Sequence, residues 1–255
     1  MPLHSCPVRS LQAVARNIFV LSLHAPGLAP AVRPGQFVNV RVNDTLEPLL
    51  RRPFSVHRTT TDTIEILFNI VGKGTAQLAE KREGDILDLL GPLGVPFTLD
   101  DDRFTTALLV AGGLGVAPMP LTTAELLRRG KAVRTLVGAR DAASLVTRHL
   151  HDVVCATDDG SSGFHGNVVA LLEKEVAQTD PKHVKIFACG PHAMLKATAL
   201  AAERLGIPCE VSMEGPMGCG IGICQGCPVE LRDASRRYAL MCKDGPTFDA
   251  QALRW

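Results

Sequence analysis

An excess of charge of either sign is missing from this sequence. Its 27 lysines and arginines stand against 26 aspartates and glutamates in 255 residues, so bulk electrostatics address neither nucleic acid nor an anionic membrane. Aromatic residues are scarce at 4%, whereas hydrophobic residues reach 46%, so any core must be packed mainly from aliphatic side chains. Long apolar runs are absent too. The most apolar stretch, Ala107 to Leu121, is broken by Gly112, Gly113, Gly115 and two prolines and falls short of the ~20 residues of a membrane-spanning helix. The first residues, MPLHSCPVRSLQAVARNIFVLSL, lack the basic start and continuous apolar segment of a secretory signal. A soluble, cytoplasmic protein without membrane or nucleic-acid partners is expected.

What is there falls into three textures. From Val8 to Leu99, RNIFVLSLHA, QFVNVRV, FSVHRT and TIEILFNIV have the composition of short strands. APGLAP, RPGQ, GKGT, EGD and GPLG punctuate them as turns, which predicts an antiparallel β-barrel or sandwich with one short helix over Thr75 to Lys81. Near Arg103 strands begin to alternate with helices. TALLVAGG, AVRTLVGAR, DVVCATDDG and HVKIFACG are the strands. MPLTTAELLRRG, the stretch Ala142 to Leu150, NVVALLEKEVAQ and HAMLKATALAAERLG are the helices. That alternation predicts a doubly wound parallel sheet. Beyond Pro208 the sequence is rich in Gly and Cys and too poor in apolar residues for a core of its own, so a metal staple is expected. The expected organisation is multidomain α/β plus β: a β-barrel domain over 1–100, an α/β nucleotide domain over 101–208 and a small cluster domain over 209–255.

Four of the eight cysteines crowd between 219 and 242. Cys219, Cys224 and Cys227 form C-x4-C-x2-C, the spacing of plant-type [2Fe–2S] sites, with Cys242 as the fourth thiolate. Gly218, Gly220, Gly222 and Gly226 supply the conformational freedom a tight wrap around an inorganic core requires, and let backbone N–H groups approach the sulfurs. A structural zinc site is the alternative, since four thiolates also suit Zn²⁺; zinc ribbons, however, show two C-x2-C pairs, and here there is one. Cys6, Cys155 and Cys209 read as small buried hydrophobes.

The remaining motifs are phosphate- and nucleotide-binding candidates, each with a plainer reading beside it. Arg52, Pro53, Phe54 and Ser55 open a strand, and a guanidinium with a nearby hydroxyl can grip a diphosphate or simply mark a surface edge. Gly72-Lys73-Gly74-Thr75 opens a helix whose N–H groups suit an anion or form an ordinary turn. Ala111 to Pro118, AGGLGVAP, follows a strand and opens a helix, the context of a dinucleotide loop or of a tight turn. Cys189-Gly190-Pro191 and Asp158-Asp159-Gly160 end two later strands, where ligands of parallel sheets gather. The aspartates suit ribose hydroxyls or a polar loop. Arg140 and Arg148 follow the second nucleotide strand and could meet a 2′-phosphate or lie in solvent.

Taken in order, RPFS, GKGT, GPLG, AGGLGVAP, ATDDGS, ACGP and the four cysteines resemble the ferredoxin–NADP reductase superfamily over the whole chain. More closely, they resemble the electron-transfer subunits of dihydroorotate dehydrogenase B. The resemblance implies FAD held by Arg52, Pro53, Phe54, Ser55, Leu67, Phe68, Asn69, Gly74 and Thr75. It implies NAD at Gly112, Gly113, Gly115 and Pro118, with Cys189, Gly190 and Pro191 beside the nicotinamide; Asp158 joins the NAD site by its place at a strand end. It also implies a [2Fe–2S] cluster on the four cysteines. Two departures stand out: many relatives carry arginine where this chain has Asn69, and Glu214-Gly215-Pro216-Met217 precedes the first ligand. The implied function is a relay from an FMN-containing dihydroorotate dehydrogenase catalytic subunit, two of each chain in a heterotetramer, through the cluster and FAD to NAD⁺ in pyrimidine biosynthesis. No residue is assigned as a general base. A similar subunit of a sulfur reductase, hydrogenase or transhydrogenase complex, and a zinc-stabilised nucleotide-binding regulator, are the competing readings.

Overall fold

The computed structural model describes residues 2–177 and 181–255. Six antiparallel strands close a barrel in the order β1-β2-β5-β4-β3-β6: β1 Leu3–Ala15, β2 Ile18–His24, β3 Phe37–Arg41, β4 Arg52–Thr59, β5 Thr63–Asn69 and β6 Ile86–Leu93. The period-two pattern puts Leu21 and Leu23, Val38 and Val40, Ile64 and Ile66, and Leu87 and Leu89 in one buried core. Short helix α1, Lys73–Ala79, follows β5.

Two barrel strands differ from the sequence expectation. β1 begins at Leu3, five residues before Val8, because Leu3 to Pro7 pair with β6 while Val8 to Ala15 pair with β2. GPLG is not a turn: Gly91, Pro92 and Leu93 complete β6. A side chain at Gly91 would press on Val38 Cγ1 at 2.8 Å, so the glycine there serves close strand packing. α1 starts at Lys73, before the expected Thr75, because the Thr75 hydroxyl accepts the N–H groups of Val71 (2.9 Å) and Gly72 (3.2 Å) and caps the turn from within.

The second sheet runs β10-β9-β8-β7-β11-β12-β15. Its strands are β7 Thr106–Gly112, β8 Ala132–Ala139, β9 Val153–Thr157, β10 Phe164–His165, β11 Val184–Cys189, β12 Cys209–Ser212 and β15 Thr247–Asp249. All pair in parallel except β15, which runs antiparallel to β12. Helix α2, Met119–Arg128, packs on one face. Helices α3, Val168–Val176, and α4, His192–Leu205, pack on the other, which is the doubly wound arrangement the alternation predicts. The expected helix over Ala142 to Leu150 is a single 3₁₀ turn, Ala142–Ser144. Asp141 accepts the Ser144 N–H at 3.0 Å, and the backbone turns extended at Leu145, a local bond competing with helix propagation. The end of the expected third helix, Gln178, lies outside the described residues. A small hairpin, β13 Pro228–Glu230 with β14 Tyr238–Leu240, completes the C-terminal segment.

Buried polar contacts tie the units together. Lys185 on β11 reaches Glu210 on β12 at 2.7 Å and donates to Thr98 O at 2.9 Å in the linker from the barrel. His57 on β4 is buried and bonds through Nδ1 to the Ala117 carbonyl at 2.8 Å, which fixes the turn before α2 against the barrel.

Glu210→Ala leaves Lys185 buried with Asp101 4.0 Å away as its remaining acidic partner; a loss of about 3 kcal/mol is expected, read from denaturant unfolding. Burial lowers the His57 pKa to about 4. The unfolded chain therefore takes up a proton near pH 6.5 that the folded chain refuses, and stability present above that pH is lost as the pH falls toward 4, at roughly 1.4 kcal/mol per unit. His57→Gln should flatten the slope of unfolding midpoint against pH in that window.

Candidate functional site

Two clefts lie between the barrel and the carboxyl ends of the parallel strands. The first, about 220 Å³, is lined by Pro53, Phe54 and Ser55 of β4, Leu67, Phe68 and Asn69 of β5, and Thr75 of α1. Phe37 and Leu114 close other sides, and Met213, Glu214, Gly215 and Met217 form the wall toward the cysteine segment. Phe68 stacks on Phe19 at 5.7 Å and meets Phe54 at 6.0 Å. Apolar walls with a few polar edges suit a flat aromatic ring system. Arg52 and Gly74 lie together beside this cleft: a Cβ on Gly74 would sit 2.9 Å from Arg52 Nε, so the glycine lets the guanidinium lie over the start of α1. Arg51 is used otherwise, bound to Asp88 at 2.9 Å.

Glu214, which the sequence offered only as an unusual neighbour of the first cysteine, is the cleft-lining residue most plainly missed. It opens onto this cleft, and the surrounding protein pushes its carboxyl above the usual range. Cys189 donates its thiol to Glu214 Oε1 at 3.6 Å. Cys189 itself is fully buried, and burial followed by the Glu214 charge raises its pKa well above that of a free thiol. It is a protonated packing group beside the cleft rather than a nucleophile.

The second cleft, about 620 Å³, gathers Gly112, Gly113, Asp158 and Pro191 with Arg140, Asn167 and Asn69. Asn69 lines both clefts and joins them. Gly113 has φ +55° and open space where a Cβ would stand, so its backbone faces the cleft bare. Gly115 lies deeper: a Cβ there would run into the Cys189 carbonyl and the Gly190 nitrogen. Pro118 precedes α2, and its carbonyl accepts the Thr122 hydroxyl at 2.8 Å. Thus Gly112, Gly113, Asp158 and Pro191 line the second cleft, while Gly115, Pro118, Cys189 and Gly190 do not. Of the two candidate arginines, Arg140 lines the cleft and Arg148 does not. Asn167, which caps α3 by accepting the Val169 and Ala170 N–H groups at 3.0 and 2.9 Å, also lines this cleft, a placement that no motif announced.

The four late cysteines stand as two pairs. Cys227 and Cys242 Sγ are 3.2 Å apart in the buried interior. Cys219 Sγ receives the N–H groups of Ile221 and Cys224, each at 3.4 Å, and these bonds, Cys224 first, lower its pKa to about 6. Among the described residues no three cysteine, histidine or acidic groups are drawn to metal-binding distances of one another. The donor set nevertheless suits an iron–sulfur centre: thiolate sulfur met by backbone N–H groups at the surface, with a second sulfur pair beneath. The four glycines divide in function. Gly220 and Gly222 have φ +73° and +85°, as the expected wrap requires. Gly218 and Gly226 have ordinary backbone angles and instead leave room for Cys224, whose sulfur would lie 3.2 and 3.4 Å from a Cβ at those positions. Cys6 and Cys209 are buried and Cys155 is partly so.

A flavin-type cleft, a nucleotide cleft and a cysteine quartet on a barrel joined to a doubly wound sheet define a ferredoxin-reductase-like protein with an added iron–sulfur segment. Residues 214–254 match the model of the iron–sulfur cluster binding domain of dihydroorotate dehydrogenase B. The chain is 36% identical to the dihydroorotate dehydrogenase B (NAD(+)) electron transfer subunit of Desulforamulus reducens, with 97% of each covered. It is 37% identical to that of Geobacillus kaustophilus, with 95% of each covered. It belongs to this family of electron transfer subunits. Among solved structures, an NADH-dependent reduced ferredoxin-NADP oxidoreductase superposes with TM-score 0.86 at 28% identity, over 98% of this chain and 90% of that one. A ferredoxin NADP+ reductase from Neisseria gonorrhoeae with bound FAD and NADP superposes with TM-score 0.66 at 18% identity, over 80% of this chain and 92% of that one, and shares the fold.

Gly115→Ala must displace the Cys189–Gly190 backbone. An overpacking penalty of about 1–3 kcal/mol, carried into the nucleotide cleft, predicts a KM for NADH raised roughly 5- to 150-fold with bound flavin retained; an unchanged KM would place Gly115 away from nucleotide binding.

Proposed function

We propose that this chain is the electron-transfer subunit of an NAD⁺-dependent dihydroorotate dehydrogenase B. Its partner is an FMN-containing catalytic subunit that oxidises dihydroorotate, two of each chain forming a cytoplasmic heterotetramer that serves pyrimidine biosynthesis. The observation that carries the reading is the meeting of three sites in one junction: the flavin-type cleft is walled on one side by the residues that lead into the first cysteine and opens on another toward the nucleotide cleft. Full-length similarity to subunits of that name supports it. Among the described residues no helix is long and apolar enough to cross a membrane. The division into barrel, nucleotide and cluster units belongs to the same proposal, with the third unit beginning after Ser212, since Cys209–Ser212 pairs into the parallel sheet.

When bound, FAD exchanges a hydride with NAD(H) and a [2Fe–2S] cluster carries single electrons, so together they join two-electron to one-electron chemistry. The chain's own residues bind and orient. Arg52, with Gly74 and Thr75, would take the diphosphate of FAD; Pro53, Phe54, Ser55, Leu67, Phe68 and Asn69 would flank its ring. Gly112 and Gly113 would present bare backbone to NAD, with Gly115, Pro118, Cys189, Gly190 and Pro191 shaping the wall behind the nicotinamide. The Asp158 carboxylate would accept the ribose hydroxyls. Cys219, Cys224, Cys227 and Cys242 would ligate the cluster, the N–H groups at Cys219 holding its negative charge. No general base is required; burial raises the Glu214 carboxyl above its ordinary range beside the flavin-type cleft.

A second reading, the flavin subunit of a transhydrogenase-type complex, is favoured by the close superposition on an NADH-dependent reduced ferredoxin-NADP oxidoreductase. The subunit that co-purifies separates the two. Arg140 in the nucleotide cleft makes the ratio of NADH to NADPH oxidation informative; the family predicts NADH.

Cys224→Ser should retain FAD and NADH oxidation by artificial acceptors while electron passage to the catalytic subunit falls to background. Loss of both activities in folded, flavin-bearing protein would contradict the relay.

A further inference from the structure

Asn39 is the one polar residue in the buried run Phe37-Val38-Asn39-Val40, and it is 1% exposed. Val38 and Val40 point into the barrel, as alternation requires. Phe37 and Asn39 point out of it, Phe37 toward the core shared with Cys227 and Cys242 and Asn39 toward the cysteine loop. Its amide Nδ2 donates to the carbonyl of Cys219 at 3.1 Å. The next residue, Gly220, lies so close that any Cβ there would collide with Asn39 Nδ2. Asn39 Oδ1 is buried with no hydrogen-bond partner, a cost of about 1–3 kcal/mol that an apolar residue of similar size would avoid. In the barrel, Asn39 pairs in register with Pro53, and Phe37 with Ser55. One side chain therefore connects the backbone of the first cysteine to the strand that lines the flavin-type cleft.

We infer that Asn39 is a positioning residue: its amide clamps the Cys219 peptide to the flavin strand and so fixes the separation and orientation of the two redox sites. The inference rests on the proposed role of Cys219 as a cluster ligand. The retained cost of the unpartnered oxygen is the argument against a merely structural role, because packing alone would favour leucine. Electron transfer falls steeply with distance, so a loop released by a fraction of its own width changes the transfer rate while leaving each site intact. Outer-shell partners of metal ligands are typically worth ten- to a hundredfold in function.

The test uses the full chain purified anaerobically, as wild type, Asn39→Leu and Asn39→Asp, the last matching the size of asparagine but losing the donor. Iron, acid-labile sulfide and FAD are measured first. Wild-type protein without iron and sulfide would overturn the cluster assignment itself, separately from the clamp. With the cluster present, stopped-flow mixing with NADH should show flavin reduction within about twofold of wild type in both variants and cluster reduction slowed at least about tenfold. Hydrogen exchange at the amides of residues 219–224 should be faster in both, and the electron paramagnetic resonance spectrum of the reduced cluster shifted or broadened. Wild-type exchange and cluster reduction in Asn39→Leu would overturn the clamp. So would a matched slowing of flavin and cluster reduction, which marks general damage.

Discussion

Backbone carbonyl, side-chain amide and a residue without a side chain meet where the cysteine loop rests on the barrel. Asn39 donates to the Cys219 carbonyl, and Gly220 approaches nearer than any other residue could. The contact joins two segments 180 residues apart and holds the first cysteine against the strand pair that carries the flavin motif. The C-terminal segment has little apolar mass; this contact sets its position, and its stability comes from β15 pairing with β12 at the edge of the sheet and from Cys227, Met241 and Cys242 joining the core of the nucleotide sheet.

The same economy governs the junction of barrel and nucleotide sheet. Lys185 binds Glu210 and the linker carbonyl of Thr98, and His57 binds the carbonyl of Ala117. Lys185 and His57 are both buried, and a buried polar group is tolerable only when satisfied, so each accepts few alternative geometries. The clefts they frame share Asn69 and Leu114. Two ligands bound there are therefore held by one set of backbone positions, which is what hydride transfer between adjacent ring systems demands.

Much of this was legible in the residues. Runs rich in β-branched and aromatic residues between Gly and Pro turns revealed β2 to β5, and strand–helix alternation revealed the second sheet. The C-x4-C-x2-C spacing identified the cluster segment, because several thiolates around one core impose a loop length. What was hidden depended on partners distant in sequence. Gly91-Pro92 reads as a turn until Val38 is known to lie against Gly91. The stretch after Asp141 has helical composition, but a local bond to Ser144 ends it. Glu214 and Asn39 carry no motif. Their significance comes from the cleft and the loop they face, and only the folded chain brings these to them.

Anaerobic titration of the purified chain with NADH, followed by visible absorption and electron paramagnetic resonance, addresses the central claim most directly. The account predicts loss of flavin absorption together with the appearance of a reduced [2Fe–2S] signal. That signal should be accompanied by two irons and two sulfides for each FAD, the composition of one [2Fe–2S] cluster beside one flavin. A folded, colourless protein that contains zinc, or a flavoprotein whose four late cysteines hold no iron, would contradict it.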